Sequence, residues 1–528
     1  MRSYYEHLES ASGIAKGLKV KPAFRSSSIF PVMEEEGISS RILFMGYWVL
    51  KRHIRQITAV ATLRNSRGEL LHRLSFSIEE PKTYRLEAAE FLRASEYSGG
   101  FPFFGTLEVE FFSAIPLVFP FPATVINYYG PHFSSVVHTA QRVYNDFEDM
   151  QNNSKVAVAE SGFNIYADRG QEPFFGIING PETVEDFPLE MLFYNHQGET
   201  VNHIVSLGKQ LPYQLNMVYP ARQFDLFEFL QGEAGAVKLK FRSSWIFPRL
   251  LVGNLQHTPP AVTITHTYYD CSEATSQSDY WLSPQKEWHS ASLMLPLSIT
   301  DDLFTNIYFY PIYSPSNFFI DIELYAPSGK CLERYPHLLS ISSPSEKVAR
   351  LILKEIAASI PSSLNKAELA IRIIASPSGD HPIPARIKLG LDIGHTSLPH
   401  MPCNICTNLQ PFNPAWENKP STFRWFPVLA DQSSSSCWIM NSSPAVNYQK
   451  NAIIQLTFFR EKDATTLKRT LTLPPHGFTV IQPEIDQELT SFLEKGIGWC
   501  TAISDNPYTT TYYFADSAQG IFGGDHGF

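Results

Sequence analysis

Ile521-Phe522-Gly523-Gly524-Asp525-His526-Gly527-Phe528 is the stretch on which the architecture turns. Three earlier segments carry a comparable ending: Val136-Val137-His138-Thr139, Thr265-His266-Thr267-Tyr268 and Gly394-His395-Thr396-Ser397. Successive histidines are 128, 129 and 131 residues apart. Near-constant spacing marks an internal repeat, because each copy of one folding unit keeps its landmarks in place. On this reading His138, His266, His395 and His526 each end the last strand of a unit.

A second landmark keeps the same period. Strand-like runs flank Asn65-Ser66-Arg67-Gly68, Asn195-His196-Gln197-Gly198 and Ala326-Pro327-Ser328-Gly329, the signature of a hairpin whose glycine takes positive φ. Those glycines are 130 and 131 residues apart, and Arg460-Glu461-Lys462-Asp463 takes the fourth turn. A short helical pattern follows each hairpin, at 85–92, 223–230, 346–356 and 485–493. Alternating runs such as Leu107-Glu108-Val109-Glu110 and Val237-Lys238-Leu239-Lys240 come next, the period of half-buried strands. The units open on an aromatic and Phe-Pro, as in Ile29-Phe30-Pro31 and Trp425-Phe426-Pro427, with Pro173-Phe174-Phe175 as the second copy's equivalent.

The expected fold is mainly β: four tandem β-sandwich units of about 130 residues, each with one short helical crossover. The boundaries are 21–148, 161–272, 280–405 and 422–528, after an N-terminal helical appendage over 1–20. The hairpin pattern resembles bacterial immunoglobulin-like or fibronectin-like repeats. That resemblance implies the sandwich architecture and no particular chemistry.

A length of 528 residues exceeds what one core supports, and 44% hydrophobic with 18% charged residues describes an ordinary globular chain. A net charge of −10 argues against a nucleic-acid binder, which needs a basic face. Lys51-Arg52-His53-Ile54-Arg55 is the local exception and reads as the solvated face or start of a strand. No apolar run follows the first residues and none reaches the length of a membrane span, so the expectation is a cytoplasmic protein without a membrane span. Six cysteines in a chain this long do not form a disulfide framework.

The usual catalytic motifs are absent: no P-loop, no G-x-G-x-x-G, no G-x-S-x-G and no H-E-x-x-H. Three sets of residues carry potential chemistry. The four repeat histidines are one, with Asp270 and Asp525 close to two of them; they hold a metal only if they converge, and otherwise lock the last strands by hydrogen bonds. A second is His395, His400, Cys403 and Cys406, four nitrogen and sulfur groups within twelve residues, which suit zinc or else are plain thiols in a linker. The third is an aromatic platform of Trp245, Tyr268, Tyr269, Tyr280 and Trp281, for stacking on a glycan or protein, or simply for filling a sandwich.

These features give three expectations. The leading one is a non-enzymatic interaction or assembly protein that presents its repeats to a protein partner or to itself. The alternatives are a carbohydrate-binding array and a metal-binding protein or metal-dependent enzyme using the histidines.

Overall fold

The computed structural model describes residues 24–118, 122–138, 141–144, 160–168, 170–243, 245–269, 291–310, 317–342, 348–356, 368–378, 387–409, 419, 422–445, 447–517 and 521–527. The helical appendage expected over 1–20 lies outside them. The chain is mainly strand, arranged in several antiparallel sheets. Among the described residues no helix is long and apolar enough to cross a membrane.

Two strand orders recur. The first runs Phe24–Glu34, Phe103–Ser113, Ile57–Asn65, Leu70–Ile78. It returns as Ala291–Leu297, Leu369–Pro377, Phe318–Tyr325, Cys331–Ile341 and again as Thr422–Leu429, Ile497–Ser504, Ala452–Arg460, Thr466–Leu473. In the second segment Glu160–Ile165, Gly235–Lys240, Pro188–Tyr194 and Thr200–Ser206 follow it, with Tyr268–Tyr269 added at one end. The hairpins form where the turn chemistry places them. Gly68, Gly198 and Gly329 have φ of 82°, 88° and 77°, and Asn65 and Asn195 each accept two backbone N–H groups across the turn. The fourth turn lacks glycine and is closed by Asp463, which accepts the Thr465 N–H at 2.9 Å.

The helical crossovers fall at Ala88–Ala94, Leu226–Leu230, Leu353–Ile356 and Gln487–Leu493. Asp225 and Asp486 cap the second and fourth by accepting the N–H three residues on. A further helix, Tyr47–Arg52, ends in the basic run expected as a solvated face or strand start; Lys51, Arg52, His53 and Arg55 are exposed there and no strand begins until Ile57. One equivalence drawn from the sequence fails. Pro173-Phe174-Phe175 lies in Gln171–Ile178, which is not the opening strand of its segment. That place belongs to Glu160–Ile165, so an apolar Pro-Phe pair did not mark the same strand in every copy.

The second order contains the strands that matter for the site. It runs Leu215–Val218, Gln171–Ile178, Leu251–His257, Pro260–His266 in the second segment, and Ala349–Ile352, Leu303–Phe309, Ile387–His395, Cys403–Leu409 in the third. The first and fourth versions are Thr83–Glu87, Ser39–Met45, Thr124–Gly130, Phe133–Val137 and Phe478–Ile481, Ser434–Asn441, Thr509–Asp516, Ile521–His526. These two fuse into one eight-stranded sheet, because Ile521 and Phe522 pair in parallel with Phe133 and Ser134. Every other described strand pair is antiparallel.

The cores follow the same joining. Phe30, Phe44 and Phe111 share a cluster with Phe426, Leu456 and Trp499, so the first and fourth segments bury apolar surface together. The third segment takes in Trp438, Phe478 and Tyr512 of the fourth. Arg41 is fully buried and donates from Nη1 to Asp431 at 2.5 Å and from Nε to Asn127 at 2.8 Å, a charged tie across the fused sheet. A linear array would touch only at neighbours; here the two ends of the series meet.

Candidate metal centre

The four final strands, Phe133–Val137, Pro260–His266, Cys403–Leu409 and Ile521–His526, pack together. Their sequences explain the placement. Phe133–Val137 is buried at every position, as a strand covered on both faces must be. Gly523 permits the closest approach: a Cβ there would lie 1.9 Å from Ser135 Oγ, so any side chain would separate the parallel pair. Ser135 Oγ also accepts the Ile264 N–H at 2.9 Å and so ties in the second segment.

This packing gathers His138, His266, Asp525 and His526. Their donor atoms all lie within 4.8 Å of one another, and no other described group of three or more such residues does so. Ring centroids are 4.7 Å apart for His138 and His526, 5.1 Å for His138 and His266, and 6.1 Å for His266 and His526. The planes cross at steep angles, so the rings converge edge-on and do not stack.

Hydrogen bonds set the orientation of the rings. The Asp525 Oδ2 accepts from His138 Nδ1 at 2.5 Å and from the His138 backbone N–H at 2.9 Å, while Oδ1 accepts the His526 N–H at 2.8 Å. The Thr267 carbonyl can only accept, so His266 Nδ1, 2.8 Å away, carries the proton. Nε2 of His266 is then a bare lone pair, buried and with no hydrogen-bond partner among the described residues. An imidazole held by Nδ1 with Nε2 presented inward is the usual posture of a metal ligand, and a carboxylate behind the ring is its usual support.

Burial holds these rings neutral. It pushes His138 and His266 well below the ordinary imidazole value and His526 down to about 3. The Arg249 guanidinium adds to the depression for all three, and Asp525 opposes it for His266 and His526. Neutral imidazole is the form that binds metal, so no proton has to be displaced near neutral pH. Three imidazoles and a carboxylate match the number and kind of donors that Zn²⁺ takes, and they also suit the other divalent first-row ions.

The sequence candidates separate into two groups. His138, His266 and His526 are brought together with Asp525, whereas His395 is left out. His395 ends Ile387–His395, the penultimate strand of its sheet, and lines a cavity of about 230 Å³ with Glu368, Trp438 and Asp516. The strand equivalent to the other three is Cys403–Leu409, which ends on Thr407-Asn408-Leu409. His400 sits 3.8 Å from Asp168 instead. Cys403 and Cys406 are three apart on one strand and therefore face opposite ways, Cys403 into an aliphatic core and Cys406 toward Tyr166, Tyr308 and Tyr310. Among the described residues His395, His400, Cys403 and Cys406 do not gather into one group of potential ligands.

Of the aromatic platform, Trp245 is 36% exposed at φ 59°, and Tyr268–Tyr269 forms a short strand beside Glu160 and Gly162. Tyr280 and Trp281 lie outside the described residues. Arg249 went unnoticed in the sequence, where nothing distinguishes it from a surface arginine. No protein-family model matches the chain, and no curated protein is similar to it.

Proposed function

We propose that this is a metal-binding protein of four tandem β-sandwich units, 21–148, 161–272, 280–405 and 422–528, closed on itself around one buried divalent ion. The convergence of His138, His266, Asp525 and His526 from three separate units supports this reading. The ion's role is structural. His138 and Asp525 side chains are 3% and 1% exposed, leaving no room for a substrate, while the 28% exposure of His526 gives the ion an entry edge. Elemental analysis of the full-length protein purified without chelator is expected to give about one zinc or other first-row ion per chain. Chelator should lower its melting temperature, and His266→Ala should lose the ion. A metal-free protein whose melting ignores chelator would sink the reading.

An interaction or assembly role has a supporting observation of its own. Leu70–Ile78, Thr200–Ser206, Cys331–Ile341 and Thr466–Leu473 each end a sheet, and they expose Leu70, Leu74, Ile204 and Leu338. Such edges accept an added strand from a partner or a second copy. Light scattering across a concentration series is the check on self-assembly; a strictly monomeric particle removes it.

A further inference from the structure

A second buried polar cluster joins the second and third segments, and it is built of oxygen. Asn164 comes from Glu160–Ile165, Asn254 from Leu251–His257, Asp392 from Ile387–His395 and Asn404 from Cys403–Leu409. All four residues are between 1% and 8% exposed. Each asparagine has its NH₂ committed to an acceptor. Asn164 donates to the Tyr166 hydroxyl at 3.2 Å and to Asp392 Oδ1 at 3.5 Å, Asn254 to the His400 carbonyl at 2.8 Å, and Asn404 to Asp392 Oδ1. Those donations fix which end of each amide is the oxygen.

The three amide oxygens and Asp392 Oδ2 have no hydrogen-bond partner among the described residues. Asn164, Asn254 and Asn404, with Thr263 and Thr265, wall a cavity of about 20 Å³. That is room for one water or one bare ion of similar size. A water donates two hydrogens, fewer than the three amide oxygens alone require, whereas a cation is attracted by all of them. Asp392 is 1% exposed, and its described hydrogen-bond partners are the amides of Asn164 and Asn404, with no basic side chain among them. A buried carboxylate without a counter-charge is among the more costly arrangements in a protein interior.

We propose that this cavity binds a sodium or potassium ion, coordinated by the Oδ1 atoms of Asn164, Asn254 and Asn404, with Asp392 as its counter-charge. The ligand set selects the class. Oxygen alone favours a hard cation over the transition metals. A single carboxylate balances one positive charge, where calcium sites gather several. The ion would stitch the second and third segments, at a cavity whose Thr263 and Thr265 lie on the strand that ends in His266.

The test is thermal melting of the full-length protein at constant ionic strength in sodium, potassium, calcium or tetramethylammonium chloride. Melting temperature is expected to rise with the logarithm of sodium or potassium concentration, and Asp392→Asn should flatten that dependence. Crystals grown in thallium(I) acetate should show anomalous density among the three asparagines, a readout that does not rely on the variant folding. Equal melting in all four salts with no thallium density would overturn the proposal in favour of a water. Stabilisation by calcium alone would overturn the monovalent assignment.

Discussion

The histidine cluster and the asparagine cluster occupy comparable places, each between sheets from different segments, yet their chemistry is opposite. The first offers neutral nitrogens with one carboxylate and a nearby guanidinium; the second offers amide oxygens around a carboxylate with no cationic partner. Burial is the largest cause of both conditions, disfavouring whichever form is charged. For an imidazole it clears the lone pair, and for a carboxyl it retains the proton. Ligand type then divides the two sites between a borderline-soft and a hard ion.

The sharpest way to break this comparison is to delete residues 521–528. That removes two of the histidine cluster's four members, the parallel pair with Phe133–Val137 and the ladder on Thr509–Asp516, while all four members of the asparagine cluster stay in the chain and lose only the packing of Cys403–Leu409 on the deleted strand. A loss above about 5 kcal/mol is expected, since hydrogen bonds to a charged group such as those from His138 to Asp525 are worth about 1.5–3 kcal/mol each and a whole buried strand goes with them. Hydrogen exchange should show Thr509–Asp516 and Phe133–Val137 opening most, because they lose ladder partners, while Cys403–Leu409 keeps its ladder to Ile387–His395 and opens less. Unchanged melting of the truncated chain would mean the closing strand is dispensable.

Proton linkage sharpens the contrast with a smaller effect. In chelator-treated protein the histidines have folded pKa values depressed below 6.5, so the unfolded chain binds more protons under acid conditions. Stability should be full above 6.5 and fall as pH drops below it, by up to about 1.4 kcal/mol per pH unit for each ring. His476, held at about 4, adds the same sign. Asp392 works the other way. Its folded value of about 8 lies above its ordinary 3.8, so its contribution is intact below 3.8 and lost as pH rises toward 8. The loss should be smaller, one group's worth, and should vanish in sodium but persist in tetramethylammonium. Urea titrations at pH 4.5, 6 and 7.5 in both salts would separate the two; identical slopes would show the clusters are not distinct in this way.

The sequence made the repeat legible because turns and caps are local. Asn65, Asn195 and Asp463 close hairpins with their own side chains, so their spacing survives without reference to the rest of the chain. The site was half legible. His138, His266 and His526 stand out by period, but spacing says only that each ends a strand and not that the ends meet. His395 was included on the strength of Gly394-His395-Thr396, a local likeness on a different strand. The true third counterpart, around Asn408, has no histidine to announce it. Asp392, Asn164 and Asn404 each stand between apolar neighbours in a strand, as in Leu391-Asp392-Ile393, and Asn254 between Gly253 and Leu255, patterns that also describe an ordinary solvent-facing position.

The parallel pairing of Phe522 with Ser134 also has a consequence in time. Asp525 is 387 residues beyond His138, so a ribosome adds most of the protein between making one partner and the other. Throughout that interval the outer edge of Phe133–Val137, whose five residues are all buried in the finished fold, has no strand to cover it. Such an edge is the template on which nascent chains stick to each other. The last strand is therefore also a lid on a hazard of synthesis, and protein made in its absence should be recovered chiefly as aggregate.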